Sequence, residues 1–491
     1  MVPRLGRRRH ADHAGHAGSK GSVFMTRVLS VASECVPLVK TGGLADVAGA
    51  LPAALAGQGV GMRVLLPGYP AVLGAAAKTP VLREIPDLFG GPARIRRGAL
   101  GKAVLYILDA PHLFDRPGGI YLGPDGRDWP DNPQRFAALC KAAALIAAEG
   151  VEDWRPQVLH LHDWQAGLTP IYLRQAGVRD VRTLLTIHNI AFQGLAPAHM
   201  LSALQLPAHL FNPSGFEYWG RISALKAGIV FADKVSTVSP TYAEELMTPE
   251  FGMGMEGVLA DRAGDFTGIL NGIDLDAWKP PYATPQGKAP HRAALRKEFG
   301  LPETDGPLCV VVSRLTGQKG LDLLIEALPA LLENGGQLAV LGSGDPGLEA
   351  AFAKAAARHA GVALRLGYDE ALSRRMIAGG DAILVPSRFE PCGLTQLYGL
   401  RFGTLPLVAL TGGLADTVIN ASVAGLAAGV ATGVQFHPVD ARTLSRALTR
   451  LCALWHQPAA WQRMMDNAMA HPVGWDASAR AYAELFEAMA A

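Results

Sequence analysis

The sequence predicts two doubly wound α/β domains that meet near residue 265, and two observations support this fold class. From Thr26 onward, short aliphatic runs alternate with turns containing glycine or proline and with longer stretches rich in alanine and leucine. This alternation is typical of β-α-β units and parallel sheets. The chain has 491 residues, enough for two or three domains, and each half contains several strand candidates.

The strand candidates form two series. In the first half they are RVLSVAS, MRVLLP, KAVLYILDA, QVLHLHD, RTLLTIHN and KVSTVS. In the second half they are GILNG, LCVVVSRL, QLAVLGSG, VALRLGY, AILVPS and LPLVAL. A stretch rich in glycine and aspartate separates the two series. We therefore expect Rossmann-like domains over residues 26–265 and 266–456, and a helical segment over 457–491 that packs back on the first domain.

The two ends of the chain lie outside both series. Residues 1–25 are basic and rich in histidine and glycine, with no apolar run after the arginines. We expect a flexible tail rather than a secretion signal, or a native start at Met25. Near the C-terminus, apolar residues at helical spacing predict an amphipathic helix. These residues are Ala479, Tyr482, Leu485, Phe486 and Met489.

Composition and charge exclude several classes of protein. Hydrophobic residues make up 49% of the chain and charged residues 18%, as in a folded enzyme and unlike a disordered chain. The net charge of +2 gives no general attraction for nucleic acid or an anionic membrane, and no apolar run is long enough to span a bilayer. The cysteines lack the spacing of a disulfide framework or zinc site, which fits a reducing cytoplasm. They are Cys35, Cys140, Cys309, Cys392 and Cys452.

One short motif occurs twice, as TGGLADV at residues 41–47 and as TGGLADTV at residues 411–418. In both places a Gly-Gly turn leads into a predicted helix. Ligands of open parallel sheets bind at the carboxyl ends of strands, where helix N-termini collect. If the domains face each other, both copies approach one cleft and offer backbone N–H groups to an anion or a sugar hydroxyl. A plain turn is the alternative for each copy.

Charged residues of the second half suggest a diphosphate site. Arg314 and Lys319 lie on one loop between a strand and a helix, which puts two cations beside a helix N-terminus. Gly344 allows a nucleotide to approach the backbone, although a single G-x-G is a weak signal. Glu390 ends another strand before a helix expected to start near Gly393, and its carboxylate suits the hydroxyls of a sugar. A solvated loop and a surface salt bridge are the alternatives.

Polar residues also follow two strands of the first half. His160 and His162 share one face of a predicted strand that ends at Asp163, so a metal site is one interpretation. No motif supplies a third and fourth ligand, and we expect hydrogen-bonded core histidines. His188 and Asn189 end the next strand and suit hydrogen bonds to a sugar hydroxyl or a carbonyl. A core histidine is the alternative for His188.

Asp274 and Asp276 form a D-x-D sequence, which holds a divalent metal in some transferases. Here the two residues lie in the expected turn between the domains. We therefore expect them to cap that turn, and the sequence predicts no metal site.

Several motifs taken together resemble those of bacterial glycogen synthases and plant starch synthases. They are KTGGLADVAGALP, HDWQAGL, TIHNIAFQG, ILNGIDLDAW, SRLTGQKGLDL, GYDEALSRRM and SRFEPCGLTQLYGLRFGTLPLVALTGGLADTV, and they run in order from about residue 26 to the C-terminus. The resemblance implies a GT-B fold with two domains facing a deep cleft. It also implies retaining transfer of glucose from ADP-glucose to the non-reducing-end 4-hydroxyl of an α-1,4-glucan such as glycogen, without a metal or other cofactor.

The resemblance further implies roles for individual residues. The catalytic positions are Asp163, His188, Arg314, Lys319 and Glu390. The two cations would neutralise the diphosphate, Glu390 would hold the donor glucose, and His188 would stabilise the reacting centre. The substrate-binding positions are Lys40, Gly42, Gly43, Tyr121, Asn189, Asn271, Gly344, Tyr368, Cys392, Gly393, Leu394 and Thr395. Among these, Tyr368 would stack near the adenine and Thr395 would contact the distal phosphate.

Some positions separate this chain from related families. Tyr398 stands eight positions after Glu390, where transferases of sucrose and mannose type repeat a glutamate. Gln165 replaces a frequent histidine, and Ala409 and Leu410 replace frequent basic residues; these differences concern peripheral substrate contacts.

Three other functions make different demands on the sequence. A nicotinamide-dependent oxidoreductase should show G-x-G-x-x-G after an early strand, and the first unit reads SVASECVPLVKTGGLADV instead. A non-catalytic glucan-binding protein would not need the two cations and Glu390 together. A related transferase that uses UDP-glucose is the third alternative, and the sequence leaves the oligomeric state open.

Overall fold

The computed structural model describes residues 26–75 and 79–491, so the expected tail at residues 1–25 lies outside the described residues. The strands of the first half are β1 (Thr26–Val31), β2 (Val60–Pro67), β3 (Val81–Ile85), β4 (Ala93–Leu100), β5 (Ala103–Asp109), β6 (Val158–His162), β7 (Arg182–Ile187), β8 (Leu195–Pro197), β9 (Glu217–Tyr218), β10 (Arg221–Ser223), β11 (Lys234–Thr237) and β12 (Phe266–Gly268). Those of the second half are β13 (Leu308–Val312), β14 (Gln337–Gly342), β15 (Val362–Leu366), β16 (Ala382–Val385), β17 (Leu405–Ala409) and β18 (Val434–Phe436).

Helices follow most of these strands. In the first half they are α1 (Gly43–Ala56), α2 (Pro70–Ala75), α3 (Pro111–Phe114), α4 (Asn132–Glu149), α5 (Asp163–Ala166), α6 (Thr169–Gln175), α7 (Ala224–Phe231), α8 (Pro240–Leu246) and α9 (Glu256–Ala260). In the second half they are α10 (Lys288–Phe299), α11 (Leu321–Leu332), α12 (Pro346–Arg358), α13 (Glu370–Gly379), α14 (Thr395–Arg401), α15 (Gly412–Thr417), α16 (Val423–Ala427), α17 (Ala441–Trp455), α18 (Pro458–Ala470) and α19 (Asp476–Ala490). Within the described residues, none of these helices has the length and apolar character needed to cross a membrane.

A nine-stranded sheet in the order β12-β11-β7-β6-β1-β2-β5-β4-β3 forms the centre of the first domain. Its pairs are parallel except those of β4 with β3 and β5, at one edge. The central strands are aliphatic and buried, as expected where helices cover both faces of a sheet. A small antiparallel sheet, β8-β10-β9, is separate from it.

The second domain contains a six-stranded parallel sheet in the order β15-β14-β13-β16-β17-β18. Its β13 reads LCVVV and is buried between β14 and β16. The parallel direction brings the loops after β13, β14, β16 and β17 to one edge of the sheet. Two doubly wound Rossmann-like domains are thus present, and the predicted fold class is confirmed.

Two strand assignments near the ends of the second series need correction. GILNG, residues 268–272, was placed in the second series, but only its Gly268 lies in a strand, and that strand, β12 (Phe266–Gly268), pairs with β11 in the first sheet. The first sheet therefore continues past the expected changeover at residue 265. The short strand Val434–Phe436 was not predicted, because three residues carry too little periodicity to be recognised.

The two C-terminal helices pack on different domains, whereas the whole segment 457–491 was expected on the first domain. In α18, Trp461 and Met464 are buried in the core of the second domain. In α19, Tyr482 and Phe486 are buried against α1 and the first sheet. The chain thus crosses between domains in the turn between the two helices.

Contacts between α8 and α15 join the two domains. The Ser239 hydroxyl donates a hydrogen bond of 2.8 Å to the carbonyl of Pro391. The backbone N–H and hydroxyl of Thr241 donate bonds of 2.9 and 2.6 Å to the Asp416 carboxylate. The second copy of the repeated motif therefore lies at the contact between the domains.

Replacing Phe486 by alanine tests the packing of α19. Phe486 is fully buried against the first sheet, and its ring centroid lies 5.4 Å from that of His160 on β6. We expect Phe486→Ala to lower the free energy of unfolding by about 3–5 kcal/mol, because it removes a buried ring and leaves a cavity. Urea unfolding followed by circular dichroism measures the loss. The exposed Glu484→Ala on the same helix is the control, and equal stability of the two variants would contradict the packing.

Candidate active site

The residues singled out in the sequence collect at the carboxyl ends of parallel strands. In the first domain the relevant loops follow β1, β6 and β7, and in the second they follow β13, β14, β16 and β17. The two edges face each other, since a Cβ atom on Gly43 would lie 3.8 Å from Cδ1 of Leu394. This is the cleft position in which open α/β sheets bind ligands.

Asp163 follows β6 and holds the loop that follows β7. Its Oδ1 accepts hydrogen bonds from the backbone N–H groups of His188 at 2.6 Å and Asn189 at 3.4 Å. Burial raises the pKa of Asp163 to about 7. Its φ of 54° lies in the left-handed region, which is uncommon for residues other than glycine. The carboxylate thus fixes the backbone of two predicted site residues.

His188 belongs to a row of histidines that begins in the core. His188 Nε2 and His162 Nδ1 are 2.9 Å apart, and His162 Nε2 lies 3.0 Å from the Ser30 hydroxyl. His160 Nε2 lies 2.7 Å from the Thr186 hydroxyl. Burial lowers the pKa of His188 to about 3, so its imidazole is neutral near pH 7.

The described residues contain no group of three or more His, Cys, Asp or Glu side chains that could hold a metal ion. His160 and His162 are hydrogen-bonded core residues, as the sequence suggested. Asp274 Oδ1 accepts bonds of 2.9 Å from the backbone N–H groups of Asp276 and Ala277. The D-x-D sequence therefore caps a turn.

An ion pair lies at the carboxyl-end edge of the sheet in the second domain. Lys319 Nζ lies 2.6 Å from Glu390 Oε2, and the Ser387 hydroxyl donates to the same oxygen at 2.9 Å. The Glu390 side chain is only 9% exposed and that of Lys319 19%. Gly320 lets the loop that carries Lys319 approach the loop that carries Glu390. A Cβ atom at Gly320 would lie 1.9 Å from the Pro386 carbonyl oxygen.

Arg314 and Gly344 lie beside this pair on the loops after β13 and β14. Arg314 is exposed, and its guanidinium has no hydrogen-bond or ion-pair partner in the part of the chain that the structure describes. A Cβ atom on Gly344 would lie 2.4 Å from the Leu315 carbonyl oxygen, so the two loops are in backbone contact. One free cation and one paired cation are thus available to an anion.

The conformation of the segment after Glu390 depends on Gly393. Gly393 has a φ of 71°, and a Cβ atom there would lie 2.4 Å from Oε1 of Gln396. α14 begins at Thr395, slightly later than the start expected near Gly393, because the left-handed glycine precedes it. The Cys392 thiol lies against Asn271, and burial raises its pKa to about 12.

The first copy of the repeated motif binds a carboxylate of the protein itself. Glu34 Oε2 accepts hydrogen bonds from the Thr41 hydroxyl at 2.9 Å, from the Thr41 N–H, and from the Gly42 N–H at 3.2 Å. Burial raises the pKa of Glu34. A buried carboxylate of the protein thus takes the N–H groups of Thr41 and Gly42, which were expected to face a ligand.

The second copy uses the same arrangement across the domain contact. Glu245 Oε1 accepts from the Thr411 hydroxyl at 2.8 Å and from the Gly412 N–H at 3.0 Å. Cβ atoms on Gly412 and Gly413 would lie 2.0 and 2.2 Å from the carbonyl oxygens of Glu390 and Cys392. The motif thus holds the backbone of the Glu390 segment and ties it to the first domain.

Three further predicted residues lie on loops of the two domains. Lys40 pairs with Asp46 at 2.8 Å, and both side chains are partly exposed. The Tyr121 hydroxyl lies 2.7 Å from that of Ser33. Tyr368 is 77% exposed and donates to Glu370 at 3.3 Å, so its ring is accessible to a ligand.

Comparisons with known proteins decide the family. Models of the starch synthase catalytic domain and of glycosyl transferases group 1 match residues 27–261 and 292–467. The glycogen synthase of Jannaschia sp. (strain CCS1) is 60% identical over 95% of this chain and 100% of its own length. The chain belongs to the glycogen synthase family of glycosyltransferases.

Other members and structures agree with this assignment. A glycogen synthase of Cereibacter sphaeroides (strain ATCC 17025 / ATH 2.4.3) is 56% identical over 95% of this chain and 99% of its own length. The catalytic domain of starch synthase IV from Arabidopsis thaliana, bound to ADP and acarbose, has a TM-score of 0.82 at 31% identity and covers 95% of this chain and 99% of its own. A sucrose-phosphate synthase from Thermosynechococcus elongatus, with a TM-score of 0.60 at 20% identity over 94% of this chain and 99% of its own, shares the GT-B fold alone.

Sequence reasoning missed several residues of this glycogen synthase family site. Glu34 follows β1 as Glu390 follows β16, so the strand-exit signal used for Glu390 could have found it. Glu245 lies inside α8, and nothing in the local sequence shows that the helix faces a second domain. His162 was identified as a core histidine, but its hydrogen bond to His188 depends on the pairing of β6 with β7.

The raised pKa of Asp163 predicts a dependence of stability on pH. The folded protein binds this proton up to about pH 7, whereas the unfolded chain releases it near its ordinary value of 3.8. Asp163 thus stabilises the fold below that value, and the contribution is lost as the pH rises from about 4 to 7. We expect Asp163→Asn, which keeps an acceptor oxygen, to gain stability relative to the wild type over this range. Urea unfolding at a series of pH values measures the difference, and a constant difference would contradict the shift.

Proposed function

We propose that this chain transfers glucose, with retention of configuration, from ADP-glucose to the non-reducing-end 4-hydroxyl of an α-1,4-glucan and releases ADP. The observation that carries the proposal is the partly buried pair of Lys319 and Glu390 on the same edge as the free Arg314, in a member of the glycogen synthase family. The related starch synthase IV was bound to ADP and acarbose, which supports a nucleoside diphosphate and a sugar chain as ligands.

The cations would act on the leaving group. Breaking the bond between C1 of glucose and the phosphate oxygen develops negative charge on that oxygen and positive charge on the sugar. Arg314 has a free guanidinium, which suits phosphate oxygens. Lys319 has three N–H donors, so it can bind a phosphate oxygen while it retains Glu390. No metal or other cofactor is then needed to supply positive charge.

Glu390 and His188 would act on the sugar. Two donors, Lys319 and Ser387, already hold one carboxylate oxygen of Glu390, which leaves the other for sugar hydroxyls and makes the group a poor nucleophile. His188 is neutral near pH 7 and can hydrogen-bond to the sugar without adding charge. We therefore favour attack on the face that the diphosphate leaves, where a departing phosphate oxygen accepts the proton of the acceptor hydroxyl.

Other residues would complete the binding of both substrates. The proposed contacts are Lys40, Gly42, Gly43, Tyr121, Asn189, Asn271, Gly344, Tyr368, Cys392, Gly393, Leu394 and Thr395, with Asp163 as a positioning residue for His188. The described cysteines are buried and free of disulfides, which supports a cytoplasmic enzyme.

Nucleotide release tests the proposed reaction. ADP-glucose and UDP-glucose are supplied separately, with and without glycogen, in buffer containing EDTA. We expect ADP release that depends on glycogen and persists in EDTA, with less release of UDP. Greater release of UDP would favour the UDP-glucose transferase. Glycogen binding without release from either donor would favour the non-catalytic glucan-binding protein.

Replacing Lys319 by alanine tests its role toward the leaving group. Because the charge matters most as the diphosphate departs, we expect Lys319→Ala to lower kcat by about 100- to 1000-fold. The KM for glycogen should change little, since the acceptor does not contact this residue in the proposed arrangement. The matched control is Lys354→Ala, at an exposed position of α12. A similar loss in kcat and in glycogen affinity would contradict the assigned role.

A further inference from the structure

A cavity in the second domain lies at the opposite end of α14 from the proposed site, which Thr395 adjoins. Its volume is about 420 Å³, which is in the range of cavities that bind small molecules. The segment 279–285, the last residue of α14 and the C-terminal part of α18 form its walls. We call this space the α14 cavity. Its lining includes Lys279, Tyr282, Pro285, Arg401, Asp466 and Met469.

Positive charge prevails among the lining residues of the α14 cavity. Two of the described lining residues, Lys279 and Arg401, are cations, and one, Asp466, is an anion. Neither cation has a hydrogen bond or an ion pair within the structurally described residues. Asp466 Oδ1 accepts a bond of 3.1 Å from Gln462 Nε2 of the same helix instead. Both cations are therefore available to an anion that enters the cavity.

Arg401 has a donor for which the described chain provides no acceptor. Its side chain is partly buried, and its Nε is buried without a hydrogen-bond partner. A buried N–H group without an acceptor is unfavourable, and native proteins contain few of them. An anion bound to the guanidinium would supply acceptor oxygens that the protein does not.

A buried lysine fixes the walls of the α14 cavity relative to each other. Lys288 Nζ donates hydrogen bonds to the Tyr282 hydroxyl at 2.9 Å and to the Phe402 carbonyl at 3.3 Å. The Tyr282 hydroxyl in turn donates to the same carbonyl at 2.9 Å. Tyr282 lines the cavity, and Phe402 directly follows Arg401. The cavity is thus formed before a ligand binds, which lowers the entropy cost of binding.

An aromatic stack places the two cations on the same side of α14. The rings of Trp278 and Tyr398 are stacked, with centroids 3.5 Å apart and planes 14° apart. Lys279 directly follows Trp278, and Arg401 lies three positions after Tyr398, on the same face of the helix. The stack therefore holds the segment with Lys279 against the helix that carries Arg401.

We propose that the α14 cavity binds a small organic phosphate, with its phosphate group on Arg401 and Lys279. A guanidinium matches two oxygens of a phosphate side by side, and an ammonium adds a compact charge. The volume of the cavity leaves room for more than the phosphate group. Pro285 and Met469 provide apolar lining against which the organic part packs. None of these residues belongs to the proposed transfer site, so the proposal does not depend on the transferase reaction.

Isothermal titration calorimetry of the full chain tests whether the α14 cavity has this preference. Ribose 5-phosphate, ribose and inorganic phosphate are titrated separately. We expect ribose 5-phosphate to bind and ribose not to bind. Inorganic phosphate should bind about tenfold more weakly, because it does not contact the apolar lining. Absence of binding by both phosphates would overturn the site, and equal affinity for both would overturn a site for an organic phosphate.

Two variants locate the bound phosphate. We expect Arg401→Ala to raise the Kd for ribose 5-phosphate by about tenfold or more, and Lys279→Ala by about threefold to tenfold, since each removes a charged donor. Arg463→Ala, at an exposed position of α18 outside the lining, removes the same charge and should leave the Kd unchanged. Circular dichroism checks that Arg401→Ala folds. If it does not, the exposed Lys279→Ala decides the outcome alone.

Lys319→Ala separates the α14 cavity from the proposed transfer site, where a phosphate can also bind. Weaker binding in Lys319→Ala, with no change in Arg401→Ala and Lys279→Ala, would place the phosphate in the cleft and overturn the cavity. Equal weakening by Arg463→Ala would indicate a general effect of charge and would also overturn it. Weaker binding in the two cavity variants alone supports the cavity, whether or not the chain releases ADP from ADP-glucose.

Discussion

The backbone contact between the second TGG turn and the segment that carries Glu390 is the constraint on which the rest of the site depends. Gly412 and Gly413 approach the carbonyl groups of Glu390 and Cys392 so closely that any side chain would collide with them. The contact fixes the position of Glu390 without using its carboxylate. That carboxylate is therefore free to bind Lys319 at the edge of the sheet.

The repeated motif has one structural role in two settings. In each copy, a glutamate accepts hydrogen bonds from the threonine hydroxyl and from a glycine N–H. Glu34 belongs to the same domain as its turn, so the first copy stabilises one wall of the cleft. Glu245 belongs to the opposite domain, so the second copy joins the two walls. Repetition of the sequence thus reflects repetition of a carboxylate-binding turn.

Much of the fold and site could be predicted because the signals are local. Buried parallel strands are continuous aliphatic runs, and their carboxyl ends carry Asp163, Arg314 and Glu390 in the sequence as in the structure. What could not be predicted depends on contacts between distant segments. β12 belongs to the first sheet because it pairs with β11. Glu245 accepts its hydrogen bond from Thr411, which lies in the other domain.

In the proposed reaction, both domains contribute to one transfer site at this cleft. A crystal structure of the full chain with ADP and a maltooligosaccharide tests it most directly. We expect the diphosphate to contact Arg314 and Lys319, with sugar between Glu390 and His188. ADP bound by one domain alone, away from the pair of Lys319 and Glu390, would contradict it.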